Sequence, residues 1–246
     1  MTRPPPRLLA AGDRGLVVEF ADRIDPRAEA EVRALDAALT RAALPGIDEL
    51  VPTYRSLLIL FDPERLSAIA LEASVRDLLG HPHAPPPPRR WIVPACYDPA
   101  VAEDIAEAAA RLEITPERLA AAHAGATFHV AMYGFAPGYA YLSGCPAELA
   151  IPRRATPRGI VPANSLLIAG GQALVAPVPM PTGWYMVART PARTLDLAAP
   201  APFLFDVGDE IRFEPIDAAA FADLDARAAT GEPVIRAATT AGGPSA

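Results

Sequence analysis

From Thr127 onward the sequence is cut into short apolar runs by glycine and proline, and this punctuation constrains the fold more than any other feature. The runs are "TFHVAMYG", "GIVPA", "SLLIAG", "QALVAP", "GWYMVAR" and "EIRFEPI". Short β-rich runs at such close spacing predict a barrel or a sandwich. The apolar zone from Leu166 to Met180 is interrupted by glycines, prolines and Gln172. It therefore reads as strands and turns and not as a membrane span. After Pro215 the pattern predicts one helix, Ala218 to Ala229, and then a frayed tail of small residues.

The first half reads β-α-β-β-α-β. "GLVVEF" (Gly15 to Phe20) is a strand. Asp25-Pro26 opens a helix, with Asp as N-cap and Pro at the first helical position. Its apolar stripe is Ala28, Val32, Leu35, Leu39 and Ala42, and Pro45-Gly46 stops it. "ELVPTYR" and "SLLILFD" are two strands about Arg55-Ser56, the second apolar on both faces and so central. Asp62-Pro63 signals a second helix with Leu66, Ile69, Ala70 and Ala73 as its stripe. "PPPPRR" is a stiff connector, and "WIVPA" is the last strand of a ferredoxin-like α+β unit. Asp98-Pro99 and Thr115-Pro116 open two more helices. The expected division is residues 1–88, a β-barrel over 89–216, and a tail over 217–246.

Charge and composition narrow the function. Net charge is −7, which argues against nucleic acid as a partner, because phosphate neutralisation needs a basic face. All 22 basic residues are arginine. No P-loop lysine, Schiff-base lysine or biotin-carrying lysine is available, so any phosphate must be met by arginines and backbone N–H groups. Two cysteines, Cys96 and Cys145, give no disulfide framework. Met1 to Leu9 has no apolar signal core, and the expectation is a cytoplasmic protein.

The stretch "GFAPGYAYLSGCP" (Gly134 to Pro146) packs three glycines, two prolines and three aromatics into thirteen residues. Such rings on irregular backbone suggest the wall of a cleft. "PRRATPR" sets Arg153, Arg154 and Arg158 beside two prolines, where guanidinium forks suit carboxylate or phosphate, or else a surface ion-pair cluster. Arg189 stands at a strand end. His81 and His83 read as solvated linker residues. His123, two residues before Gly125, reads as a cation at a helix C-terminus. His129 alternates with Phe128 and Val130. Cys145 reads as a buried small residue, and no spacing resembles a metal site.

Taken in order, "GDRGLVVEF", "VPTYRSLLILFDP", "VPACYDP", "GFAPGYAYLSGCP", "IPRRATPR", "VPANSLLIAGGQ", "GWYMVARTP" and "VGDEIRFEPI" closely resemble the 5-oxoprolinase B-subunit family, also known as allophanate hydrolase subunit 1 or KipI-like. The resemblance spans residues 12 to 216 and implies a small α+β domain followed by a cyclophilin-like β-barrel. It implies one component of a heteromeric enzyme. Together with a C-subunit (KipA-like, allophanate hydrolase subunit 2) and an A-subunit, that component uses ATP, with Mg accompanying the nucleotide, to open 5-oxo-L-proline to glutamate. The alternatives within the same resemblance are a KipI-like inhibitor of a histidine kinase and a carboxyltransferase-type component that works on a urea-like amide. On this reading His123, Arg153, Arg158 and Arg189 are catalytic candidates, and Tyr139, Gln172 and Trp184 line the substrate cleft. Asn164 replaces a usual family glycine, and Thr182 replaces another in "MPTGW". Both changes fall in the expected cleft region.

Overall fold

The structure is a computed structural model, and it describes residues 4–81, 84–85 and 87–238. His83 and the small-residue tail after Ala238 lie outside the described residues. The chain divides into two compact units, residues 1–87 and 88–246.

The first unit runs β1 (Arg7–Ala10), β2 (Gly15–Glu19), α1 (Pro26–Ala42), β3 (Ile47–Pro52), β4 (Ser56–Phe61) and α2 (Ala68–Gly80). Its sheet is antiparallel in the order β1-β2-β4-β3. The β2-α1-β3 crossover straddles β4, the split βαβ arrangement of ferredoxin-like folds. The sequence offers "WIVPA" as the fourth strand. In the structure that edge is filled by β1, from the arginine- and proline-rich N-terminus. The "WIVPA" strand is thereby released to the second unit.

Local signals explain most of the helices. The Asp25 carboxylate accepts the Arg27 N–H at 2.9 Å, and Ala28, Val32, Leu35 and Leu39 face the core. Ala42, placed on the stripe by spacing, is exposed in the last turn. The α2 reading needs correction. Asp62-Pro63 forms a hydrogen-bonded turn, the helix starts after Ser67, and Ser67 Oγ caps the Ala70 N–H at 3.2 Å. The later start rotates the stripe to Leu71 and Val75, leaving Ile69 84% exposed.

The second unit contains β5 (Arg90–Cys96), α3 (Ile105–Arg111), α4 (Pro116–Ala124), β6 (Phe128–Tyr133), β7 (Ala140–Ser143), β8 (Arg158–Val161), β9 (Ser165–Ala169), β10 (Gln172–Ala176), β11 (Met180–Thr182), β12 (Tyr185–Arg189), β13 (Glu210–Ile216), α5 (Ala218–Ala229) and β14 (Arg236–Ala237). Seven strands close in the order β12-β9-β10-β7-β6-β13-β5, with β5 returning to β12 through Arg189 and Cys96. This closed barrel is the one expected from the short, punctuated runs. β14 pairs with β5, so chain beyond Pro215 docks on the barrel. Helix α3 starts at Ile105, six residues later than expected, because Asp98 spends its side chain on an Ala100 turn. Among the described residues no helix is long and apolar enough to cross a membrane.

Strands β9, β10 and β12 are buried on both faces. Leu166, Ile168, Ala173, Val175, Tyr185 and Val187 point into the barrel core. The alternate residues Leu167, Ala169, Leu174, Ala176 and Met186 form a second apolar cluster with Tyr139, Val161 and Trp184. The two-stranded β8–β11 sheet supplies Val161 and, at its edge, Met180. Double-sided burial is why "SLLIAG" and "QALVAP" are near-continuous apolar runs where a half-exposed strand alternates.

Candidate functional site

A cleft of about 360 Å³ opens at the rim of this second cluster. Its size lies at the small end of the roughly 300–1,000 Å³ typical of small-molecule pockets. It is lined by Phe135, Tyr139, Tyr141, Arg153, Pro157 and the segment Pro181–Trp184. The Gly134 to Pro146 stretch supplies its aromatic wall. Four rings run along it edge to face or tilted, with centroid separations of 5.5 Å for Phe135–Tyr139, 5.4 Å for Tyr139–Tyr141 and 6.0 Å for Tyr141–Trp184. Edge-to-face geometry sets the positive rim of one ring on the negative face of the next.

The irregular backbone makes this wall possible. Gly138, at φ +69°, would bring a Cβ to 3.2 Å from Leu195 and Pro177 side-chain atoms. Phe135 also lies at φ +69°, where a bulky side chain is strained, and its ring is 79% exposed. Tyr139 and Trp184 are 3% and 6% exposed and anchor the floor. Burial pushes the Tyr139 hydroxyl up to about 12, with Tyr141 adding to it and the Thr182 hydroxyl and Arg153 opposing. Tyr141 is also raised by burial against Arg153. Both phenols are neutral hydrogen-bonding groups at physiological pH.

The arginine triplet divides into two roles. Arg154 meets Asp104 at 3.0 Å and Glu107 at 2.7 Å, and lies 4.3 Å over the Tyr185 ring. Arg158 meets Glu103 at 2.6 Å and Asp104 at 2.7 Å. Asp104 is 7% exposed and also accepts the Met186 N–H at 2.9 Å, so one carboxylate ties α3, β12 and both arginines together. Arg153 is exposed and makes no hydrogen bond or ion pair with any described residue. It lines the cleft, where it acts electrostatically on Tyr139 and Tyr141. The Arg154 N–H donates to the Gly183 carbonyl at 2.8 Å, which pins this segment to the opposite lip.

The structure thus brings Arg153, Tyr139 and Trp184 into one cleft and puts the other candidates elsewhere. Arg158 belongs to the ion-pair network. His123 is 1% exposed in the barrel core, with Nδ1 sharing a 2.8 Å hydrogen bond with the Tyr97 hydroxyl and its ring stacked 5.0 Å from Phe213. Burial drives its pKa down to about 3, so it is neutral there. Gly125 follows it at φ −73°, in ordinary right-handed geometry. Arg189 donates to the Ala163 carbonyl at 3.3 Å and lies 5.2 Å over the Phe221 ring, with burial lowering its pKa. Gln172 begins β10 opposite Ala169, across the Gly170–Gly171 turn, outside the cleft lining. Cys96 is buried and Cys145 half-buried, and burial raises the Cys145 thiol to about 11.

Tyr141 and Phe135 were not singled out individually by the sequence, nor were the carboxylates Glu103, Asp104 and Glu107. The acidic group had a signal: three carboxylates within "EDIAE" match in number the three arginines of "PRRATPR". That balance also bears on ATP. A triphosphate is held by several cations and oriented N–H groups, whereas one free guanidinium remains here. The cleft residues do not fit a nucleotide triphosphate.

Residues 6–205 match the family model described as carboxyltransferase domain, subdomain C and D. The 5-oxoprolinase B-subunit of Escherichia coli O157:H7 is 31% identical over 210 residues, covering 85% of this chain and 95% of that protein. The 5-oxoprolinase B-subunit of Bacillus subtilis is 29% identical, covering 82% and 89%. The crystal structure of TTHA0988 superposes with a TM-score of 0.74 at 34% identity over 82% of this chain, which spans only 40% of that one. The Kluyveromyces lactis urea carboxylase shares the fold, with a TM-score of 0.74 at 16% identity over 97% of this chain and 24% of its own. The chain belongs to the 5-oxoprolinase B-subunit family, within the carboxyltransferase subdomain C and D group.

Proposed function

We propose that this chain is one component of a cytoplasmic, ATP-dependent 5-oxoprolinase that opens 5-oxo-L-proline to L-glutamate together with its A- and C-subunits. The overall reaction adds one water across the lactam C–N bond and one across the terminal phosphoanhydride of ATP. The observation that carries the reading is an aromatic cleft of small-molecule size with one unpaired guanidinium, in a chain whose relatives of matching length are named as the B-subunit of 5-oxoprolinase. That lettering of the relatives supports an assembly of several different chains. The absence of lysine and the balanced charge around the cleft support placing ATP and its Mg on the companion subunits. Within that division this chain contributes binding and orientation, which alone can lower a barrier substantially.

Co-expression with the cognate A- and C-subunits tests the reading. The expected result is a stable complex that releases ADP and glutamate only when 5-oxo-L-proline is present, and that loses both products when this chain is omitted. A complex that turns over nothing, or turnover undiminished without this chain, would refute it.

A further inference from the structure

Three features of the cleft point to a ligand. Arg153 is the one member of its triplet without a carboxylate, whereas Arg154 and Arg158 together engage all three acidic neighbours. Phe135 exposes 79% of a large apolar side chain to water while holding a strained positive φ. Strained backbone of this kind clusters at ligand clamps. The third feature is the order of the wall, with four rings leading from the exposed mouth at Phe135 to the buried floor at Trp184.

The charge count selects among anions. Around the triplet stand three arginines and three carboxylates, so the local field is neutral and Arg153 alone is available. One planar guanidinium matches one carboxylate, fork to fork. A phosphate or polyphosphate finds neither a second cation nor a helix N-terminus among the lining residues. The rings and the Pro157 and Pro181 side chains suit a flat, compact body, and the neutral Tyr139 and Thr182 hydroxyls, hydrogen-bonded to each other, form the floor.

From these observations we infer that the cleft is a receptor for a small monocarboxylate with a flat ring, in which Arg153 binds the carboxylate and Phe135 closes over the ring, and that it does not bind phosphate groups. The inference deepens the oxoprolinase reading and rests on it only for the identity of the ring. The carboxylate receptor belongs to this chain alone.

The full chain is titrated by calorimetry and by tryptophan emission, since Trp184 lies in the cleft. The probes are 5-oxo-L-proline, its uncharged analogue 2-pyrrolidinone, cyclopentanecarboxylate and inorganic phosphate. The expected result is saturable binding of both carboxylates, at least tenfold weaker binding of 2-pyrrolidinone, and no competition by phosphate. Arg153→Gln weakens the carboxylates at least tenfold and leaves 2-pyrrolidinone unchanged, and Arg153→Lys restores part of the loss. Equal affinity for 2-pyrrolidinone, displacement by phosphate, an unaltered Arg153→Gln variant, or no saturable response to either carboxylate overturns the inference. Failure of the oxoprolinase reading looks different: carboxylate binding persists in the chain, and the assembled complex does not turn over 5-oxo-L-proline.

Discussion

Single residues here show how similar side chains are committed to opposite tasks by what surrounds them. Arg154 and Arg153 are adjacent, yet one is spent on Asp104 and Glu107 and the other faces the cleft unpaired. Phe135 has a testable signature of its own. Glycine at this position removes the left-handed penalty of roughly 1–2 kcal/mol, against a glycine entropy cost of roughly 0.5–1 kcal/mol. Phe135→Gly is therefore expected to unfold in denaturant at a concentration no lower than the wild type, although it deletes a large side chain. Its affinity for carboxylate ligands is expected to fall about tenfold. A clear loss of stability would show that Phe135 packs as ordinary core. His123 makes the complementary case. Its folded pKa of about 3 lies below the ordinary histidine value, so the unfolded chain binds the extra proton first. Stability is full above about pH 6.5 and is lost as pH falls toward 3. Between pH 7 and pH 5 the loss from this group is about 2 kcal/mol. Denaturant titrations of wild type and of a Tyr97→Phe/His123→Phe double variant check this, with the double variant showing a flatter pH dependence.

At the scale of elements, Asp104 is the fastening point, because it joins α3 to β12 and holds Arg154 and Arg158 at the edge of the cleft. Removing one partner of a buried ionic group leaves the others uncompensated. Asp104→Ala is expected to cost about 3–5 kcal/mol by chemical denaturation, with an accompanying loss of ligand binding. Arg153→Gln, with no partner to abandon, is expected to stay within about 0.5 kcal/mol of wild type. The sequence made most of these elements legible. Caps at Asp25 and Thr115 fixed α1 and α4, and the Gly/Pro punctuation exposed five of the seven barrel strands together with β8. Four strands were not legible, and one of them, the two-residue β14, lies where a frayed tail was expected. β1 hides in "RPPPRLLA", where prolines obscure a four-residue edge strand. β7 lies inside the glycine-rich stretch, and β11 contains Pro181, which an edge strand of a two-stranded sheet tolerates. The false helix starts at Asp62-Pro63 and Asp98-Pro99 share one cause: Asp-Pro also opens a simple turn. The cleft itself was half legible. Its aromatic wall and Arg153 stand out in the sequence. The fates of His123, Arg158 and Arg189 depend on tertiary neighbours that one sequence does not show. Asn164, at φ +58°, occupies a position where the resemblance expects glycine, and asparagine tolerates that geometry. Thr182 replaces glycine without adopting a positive φ.

The whole molecule is a ferredoxin-like unit and a closed barrel, and the barrel carries a second apolar cluster on its outer face. That outer cluster lets the two-stranded β8–β11 sheet stand off the barrel and leave a cleft at its rim. On the proposed function, the one free cleft arginine holds a small carboxylate and companion subunits handle the nucleotide. The most direct measurement is turnover of 5-oxo-L-proline by the assembled three-component complex, with this chain present as wild type, as Arg153→Gln, or omitted. The account predicts coupled ADP and glutamate release with wild type and none on omission. With Arg153→Gln it predicts an intact complex whose kcat/KM is at least tenfold lower. Full activity in the Arg153→Gln assembly, or turnover without this chain, would contradict it.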